Sequence, residues 1–302
     1  MGNEIQEKRF NWYQYEPIKK PLLDTFRAKY LVEKIEKGHS EILVDFTLGK
    51  YGEKHVYVKN NEIIINLDNR TITLEIEKLY KIAEKENKIF SIEDTGDLLP
   101  IEIRGRHYYK LWTPSIDSAP TISIDGINMH RVKNIDPFSD ARIKILSLKI
   151  KPKKALLDIC TGLGYTAIWA HRFGASVITV EKDENVLNIA RYNPWSEELV
   201  NIPIILSDIL DIIGELPNNY FDYIIHDPPR FSLAGELYSY NFYKELYRVL
   251  RKGGKMFHYT GSPGEKYRGK KFIKGIGERL TKAKFATRFI PRAQGFIAIK
   301  KF

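Results

Sequence analysis

From Lys151 onward, short apolar runs alternate with stretches of helical spacing, whereas the apolar runs before it are β-branched and separated by turn residues. The run Ala155–Leu157 reaches Asp158, passes through a turn holding Gly162 and Gly164, and enters YTAIWAHRF, which has helical spacing. SVITVE is followed by a helix through ENVLNIARY, and IPIILSD, FDYIIHD and MFHYTG read as further strands with the helices NFYKELYRVL and ERLTKA among them. ATRFI and GFIAIKKF close the chain as a strand pair. Such alternation predicts an α/β fold, a parallel sheet with helices on both faces and ligands at the carboxyl ends of the strands.

Before this region the period differs. Residues 1 to about 20 are polar with interspersed aromatics and read as an irregular arm, and Leu22–Lys37 has the spacing of an amphipathic helix stopped by Gly38. EILVDFTL, HVYVK, EIIIN and TITLEI predict a small antiparallel sheet, IEKLYKIAEKENKIF a helix, and LLPIEIRGRHYYKLWT and PTISIDGINMHRV further strands. The expected organisation is an N-terminal α+β domain over residues 1–136, with a role in substrate recognition, and an α/β domain over residues 137–302. Pro137 suits the first turn of a helix and Asp136 is placed to cap it.

Composition sharpens this picture in two ways. No apolar run approaches the roughly 18 residues that span a bilayer, and no apolar signal segment opens the chain, so a soluble cytoplasmic protein without a membrane partner is expected. The single cysteine, Cys160, excludes an internal disulfide and a multi-cysteine zinc site, and no metal-ligand spacing is present. Charge is unevenly placed: Arg248–Phe302 holds sixteen Lys and Arg against Glu265 and Glu278, a surplus larger than the whole chain's +10. The remainder is therefore mildly acidic, and the basic segment favours a polyanionic partner.

The chemistry gathers at strand ends. Glycines permit a tight turn and close backbone approach to a ligand where the following helix offers unpaired N–H groups. Gly162-x-Gly164-x-x-Ala167 with Glu181 suits a dinucleotide, while Asp158 at the strand end suits S-adenosylmethionine, so this motif alone leaves the cofactor open. Glu181 and Asp208 end the next two strands; a carboxylate at Glu181 can accept ribose hydroxyls, and Asp208 resembles the acidic residue that methyltransferases place against the adenine amino group. Asp227-Pro228-Pro229-Arg230-Phe231 follows the fourth strand; a Pro-Pro pair fixes the backbone and aims the preceding acceptors, and an aromatic can stack on a flat substrate.

That last motif resembles the Asp/Asn-Pro-Pro-aromatic element of class I S-adenosylmethionine-dependent methyltransferases. RVLRKGGKMFHY is similar to the helix, double-glycine turn and fifth strand that follow it there. The resemblance covers about residues 137–302, and the wording DICTGLGYTA, EKDENVL, NPWS, HDPPRFSLAGELYS and FHYTGSPG is similar to a group of archaeal methyltransferases without an assigned substrate. It implies a Rossmann-like seven-stranded sheet, S-adenosylmethionine as cofactor, and contacts from Asp158, Thr161, Gly162, Gly164, Glu181, Asp208 and Ile209. Two departures stand out: Cys160 takes the place of the first glycine, and Arg230 separates the prolines from the aromatic.

Methyl transfer needs alignment and a deprotonated nucleophile, for which Asp227, Pro228 and Pro229 supply acceptors and rigidity. His226 and His258, at adjacent strand ends, are candidates for a base facing the substrate, and His130 of GINMH shares that standing. GSPGEKYRGKK reads as a mobile loop touching phosphates, so Arg230, Phe231, Lys266, Tyr267 and Arg268 are the candidate substrate contacts and RNA the expected partner. Protein or small-molecule methylation, an aminopropyltransferase-like activity, a nicotinamide-dependent oxidoreductase, and an RNA-binding module with a vestigial pocket are the competing readings.

Overall fold

A computed structural model describes residues 10–67, 70–85, 87–261 and 266–301, with the side chains of 266–270 excepted. The chain divides into two compact units, one of residues 1–15, 138–187 and 198–302, the other of residues 16–137 and 188–197. Relative to the expected 136/137 division, residues 10–15 of the N-terminal arm belong with the α/β unit, and residues 188–197, the last turn of the second crossover helix and the segment after it, belong with the other unit.

The α/β unit contains an eight-stranded sheet, not seven. In chain order its elements are β1 (Trp12–Tyr13), α1 (Pro137–Leu148), β2 (Ala155–Ile159), α2 (Tyr165–Arg172), β3 (Ser176–Glu181), α3 (Glu184–Ala190), β4 (Ile204–Leu206), α4 (Ile209–Ile212), β5 (Phe221–His226), α5 (Tyr240–Val249), β6 (Leu250–Tyr259), α6 (Lys266–Lys282), β7 (Phe285–Ile290) and β8 (Gly295–Lys300). Their order across the sheet is β1-β4-β3-β2-β5-β6-β8-β7. Strands β2 to β6 are parallel, β8 and β7 close one edge antiparallel, and β1 caps the other by pairing Trp12 with Ile205 and Tyr13 with Ile204. The additional strand is that two-residue piece of the arm. Chain order reverses between β2 and β5, so their carboxyl ends form a topological switch point, the place where such sheets bind ligands.

Strand alternation sorts the side chains between two faces. Leu157, Ile159, Val180, Ile205, Ile224, Met256 and Ala298 pack with Phe242, Leu246, Ile276 and Leu280 of α5 and α6 into one apolar core. On the other side, α1 and α2 join through Phe138, whose ring meets Tyr165 edge-on at 5.3 Å and whose carbonyl accepts from Trp169 Nε1 at 2.9 Å. The double glycine expected to precede the fifth strand lies inside β6. Gly253 adopts φ 76°, and the register slips so that Leu250 pairs with Phe221 but Lys255 with Tyr223. A bulge there absorbs the turn that the glycines signalled.

The second unit is α+β. Its four-stranded antiparallel sheet (Glu41–Val44, Lys54–Lys59, Glu62–Leu67, Arg70–Glu75) packs with the helices Thr25–Glu36 and Ile76–Ala83 around Ile42, Val56, Ile63, Leu74 and Leu79. Arg27 is buried there and bridges Asp24 and Asp45 at 2.6 and 2.9 Å. Segment 188–197 is tied in by Trp195 Nε1 donating to the Leu48 carbonyl at 3.0 Å and by the hydroxyl of Tyr51 donating to Glu197 at 2.7 Å. Among the described residues, no helix is long and apolar enough to cross a membrane.

Candidate active site

The turn between β2 and α2 is left-handed at three positions: Cys160 (φ 70°), Gly162 (φ 55°) and Gly164 (φ 78°). Gly164 has a second reason to be glycine, since a Cβ there would lie 2.5 Å from the Leu199 side chain. Cys160 therefore keeps the backbone conformation of the glycine it replaces, at a cost of about 1–2 kcal/mol for an L-residue. Its N–H donates to the Val180 carbonyl at 3.0 Å, its side chain packs on the apolar core, and burial pushes its thiol well above the ordinary range. The sulfur is thus held neutral, as a small apolar filler.

Asp158, expected to touch the cofactor, has no exposed surface. Its two carboxylate oxygens accept from the hydroxyls of Thr166 and Thr179, each at 2.7 Å. Thr179 spends its one proton on Asp158, so Thr161 must donate in the 2.6 Å bond between the two threonine hydroxyls. This chain links β2, β3, the turn and α2, and makes Asp158 and Thr161 the braces of the glycine turn. Burial pushes the Asp158 carboxyl up to about 7, against the pull of the two threonines.

Glu181 lies across from the turn. Oε2 accepts from Gly162 N–H at 3.0 Å, and Oε1 accepts from the N–H groups of Lys182 and Asp183 at 3.0 and 3.1 Å. Burial raises its pKa against those three bonds. A carboxylate has about four acceptor sites, so Glu181 retains capacity for a hydroxyl. Asp208 caps α4 through Leu210 N–H at 3.0 Å and stands 3.6 Å from Lys182 Nζ, while Ile209 beside it is buried in the core and presents no side chain outward. A turn left-handed at three positions and closed to any side chain at Gly164, together with an acidic strand end bonded to its backbone, fits a nucleoside-bearing cofactor. The residues placed to hold one are Gly162, Gly164, Glu181 and Asp208.

Beyond β5 the chain enters Asp227-Pro228-Pro229. Asp227 Oδ2 accepts from Lys144 Nζ of α1 at 2.6 Å, and Lys144 also reaches Asp140 Oδ2 at 3.1 Å. The Pro229 carbonyl accepts from the hydroxyl of Tyr238 at 2.8 Å, which pins the end of the motif. Phe231 is 51% exposed and sits edge-on to Tyr238 and Phe272, at 5.5 and 5.6 Å. Arg230 is exposed beside it. Lys144 and Asp140 were not legible as site residues: at i and i+4 on a helix they have the pattern of an ordinary surface pair.

The expectation that His226 and His258 both face the substrate is corrected by their burial. Neither has exposed surface, and their rings lie 4.4 Å apart on the core side of the sheet. His226 Nε2 donates to the Leu237 carbonyl at 2.9 Å, and His258 Nε2 bonds the Tyr243 hydroxyl at 2.7 Å. Burial lowers His226 to about 4 and His258 well below the ordinary range, so both are neutral framework residues. His130 lies in the other unit, where its Nδ1 bonds Thr121 Oγ1 at 2.9 Å.

Lys266, Tyr267 and Arg268 open the helix α6, so the expected loop is helical from Lys266 on. Residues 262–265 and the side chains of 266–270, where the phosphate contacts were expected, lie outside the described residues. Several other cations of the basic segment are used internally. Arg248 bonds Glu245 and the Leu216 and Ile213 carbonyls, Arg279 donates to the Tyr238 carbonyl, and Lys300 is buried on the Tyr247 and Leu250 carbonyls. Lys271, Lys284, Arg288 and Arg292 are exposed.

Comparison with known proteins agrees with this arrangement. Residues 156–254, from β2 into β6, match the family model of a methyltransferase domain. The uncharacterized protein MJ1233 of Methanocaldococcus jannaschii is 45% identical over 277 residues, covering 90% of this chain and 94% of that protein. Among solved structures, spermidine synthase from Thermotoga maritima superposes with a TM-score of 0.52 at 20% identity, over 67% of this chain and 72% of that one, which shows the shared fold. Phosphoethanolamine N-methyltransferase 2 of Haemonchus contortus, solved with S-adenosyl-L-methionine, gives a TM-score of 0.36 at 22% identity, over 47% of this chain and 36% of its own. The chain accordingly belongs to the family that includes MJ1233, and it is a class I S-adenosylmethionine-dependent methyltransferase.

Proposed function

We propose that this methyltransferase acts on RNA and that the acceptor is an amine nitrogen held at Asp227-Pro228-Pro229. The observation that carries the reading is the state of Asp227: Lys144 occupies Oδ2, while among the described residues nothing bonds Oδ1 or the Pro228 carbonyl. Two acceptors fixed by a Pro-Pro segment suit an NH2 group, whose two protons they would receive. Bonding both protons turns the nitrogen lone pair away from the acceptors and fixes it for an in-line displacement. The half-exposed Phe231, braced by Tyr238 and Phe272, offers a face for a flat base. Lys271, Lys284, Arg288 and Arg292 supply exposed positive charge for a phosphate backbone.

When bound, S-adenosylmethionine supplies an electrophilic methyl group on a sulfonium. The protein's own part is to hold and align: the Gly162–Gly164 turn would admit close approach, Glu181 would accept a ribose hydroxyl, and Asp208 would accept from the adenine amino group. Ionised Asp227 would offset the positive charge that the acceptor nitrogen carries on gaining its fourth substituent, and would accept the proton that the nitrogen then loses.

The test is incubation with methyl-labelled S-adenosylmethionine and separately fractionated RNA, protein and small molecules from the source organism. Label in the RNA fraction, lost in Asp227→Ala, is expected; label confined to protein or small molecules overturns the RNA assignment. Because the fold is shared with a spermidine synthase, a parallel reaction contains decarboxylated S-adenosylmethionine and a diamine. Polyamine product without methyl transfer would replace this reading by aminopropyl transfer.

A further inference from the structure

Lys144 is a buried lysine whose surroundings give it a task. It lies in the middle of α1, is 4% exposed, and points its ammonium at Asp227 Oδ2 (2.6 Å) and Asp140 Oδ2 (3.1 Å), with the Tyr259 ring beneath it at 4.0 Å. Asp140 is 2% exposed, so the cluster is shielded from water on the helix side, and Asp227 is its outlet toward the strand ends. Burying an ammonium costs several kcal/mol unless it is paired, and here it is paired twice. The pairing is one-sided, because the bond falls on Oδ2 of Asp227 and leaves Oδ1 without a bond among the described residues.

We propose that Lys144 is the positioning residue of the active site: it holds Asp227 ionised and orients its second carboxylate oxygen toward the acceptor nitrogen. Asp140 supplies the second negative charge that keeps the ammonium charged when Asp227 engages substrate. This inference rests on the reading of Asp227 as the acceptor-binding carboxylate. Besides Lys144, the charged and titratable groups around Asp227 are Asp140 on α1, Asp158 and Cys160 at the end of β2, and Tyr238 on the segment that follows the motif. None of these is a cation, so among the described residues Lys144 alone opposes the burial that raises the Asp227 carboxyl. Burial also works against the Lys144 ammonium, and Asp227 and Asp140 outweigh it.

The experiment measures the titration of Asp227 directly, in full-length protein labelled with 13C at aspartate side-chain carboxyls, with Asp227→Asn identifying the resonance. Lys144→Met should move the Asp227 midpoint up by about 1–3 pH units, the usual effect of an adjacent opposite charge. Lys144→Arg should hold it near the wild-type value. Should Lys144→Met fail to fold, Lys144→Met/Asp140→Asn removes the second buried carboxylate and serves the same purpose. An unmoved midpoint in a folded Met variant overturns the proposal. This readout needs no methyl acceptor. If Asp227 shifts but no RNA is labelled, the substrate assignment has failed and the positioning role stands.

Discussion

Replacing His226 by phenylalanine isolates a pH-dependent cost that the fold imposes on itself. The ring is fully buried, donates to the Leu237 carbonyl, and packs 5.4 Å from Phe242 and 4.4 Å from His258. Burial lowers its pKa from 6.5 to about 4, a displacement worth roughly 3 kcal/mol at about 1.36 kcal/mol per unit. The unfolded chain takes up the proton first. Stability is therefore fully present above 6.5 and is lost as pH falls toward 4, because the unfolded state binds more protons in that window. Asp158 acts with the opposite sign: its folded pKa is raised from 3.8 to about 7, so its contribution is fully present below 3.8 and is lost as pH rises through 7. The wild-type curve mixes the two, but subtracting the His226→Phe curve cancels Asp158 and most of the His258 contribution. Urea unfolding at 25 °C between pH 4 and 7 supplies both curves. The wild-type advantage should shrink by roughly 3 kcal/mol from the top of that range to the bottom, on top of a pH-independent penalty of about 1–3 kcal/mol for the Leu237 carbonyl left without its donor. A difference that stays flat within about 0.5 kcal/mol would refute the neutral buried histidine, and would reopen His226 as a titrating group of the site.

Two further substitutions probe the glycine turn. Gly164→Ala places a Cβ 2.5 Å from Leu199 at φ 78°; left-handed strain and overpacking together should cost about 2–4 kcal/mol in urea unfolding, part of it recovered when Leu199→Ala is added. Thr179→Val removes a donor from the fully buried Asp158 and the acceptor of Thr161. It should cost about 1–3 kcal/mol, with the loss larger at pH 8 than at pH 5, because the ionised carboxylate is what the hydroxyl supports.

What the sequence shows most plainly is what depends on local physics. KALLDICTGLGYTA is read as strand, turn and helix because apolar run, glycines and helical spacing each act within a few residues. Asp227-Pro228-Pro229 stands out because two prolines restrict their own backbone. Features that depend on distant partners are silent. Trp12–Tyr13 becomes a strand only because β4, some 190 residues later, presents an edge to it, and nothing in two residues announces that. Lys144 looks like half of a surface ion pair until the fold brings Asp227 to it. The histidines fail for a related reason: a strand pattern gives their alternation but not which face is core, and both proved to lie on the core side with Phe242 and Tyr243. Cys160 is resolved by its backbone, since the position demands a left-handed conformation and the thiol serves as packing.

The proposed reaction is methylation of an amine nitrogen of RNA at Asp227. Its most direct test is the identity of the product: RNA labelled by the enzyme from methyl-labelled S-adenosylmethionine is digested to nucleosides, and the labelled species is identified by mass spectrometry. The expected label lies on an exocyclic amino nitrogen and is abolished in Asp227→Ala. Label on a ribose oxygen or a ring carbon, or full labelling by Asp227→Ala, would contradict it.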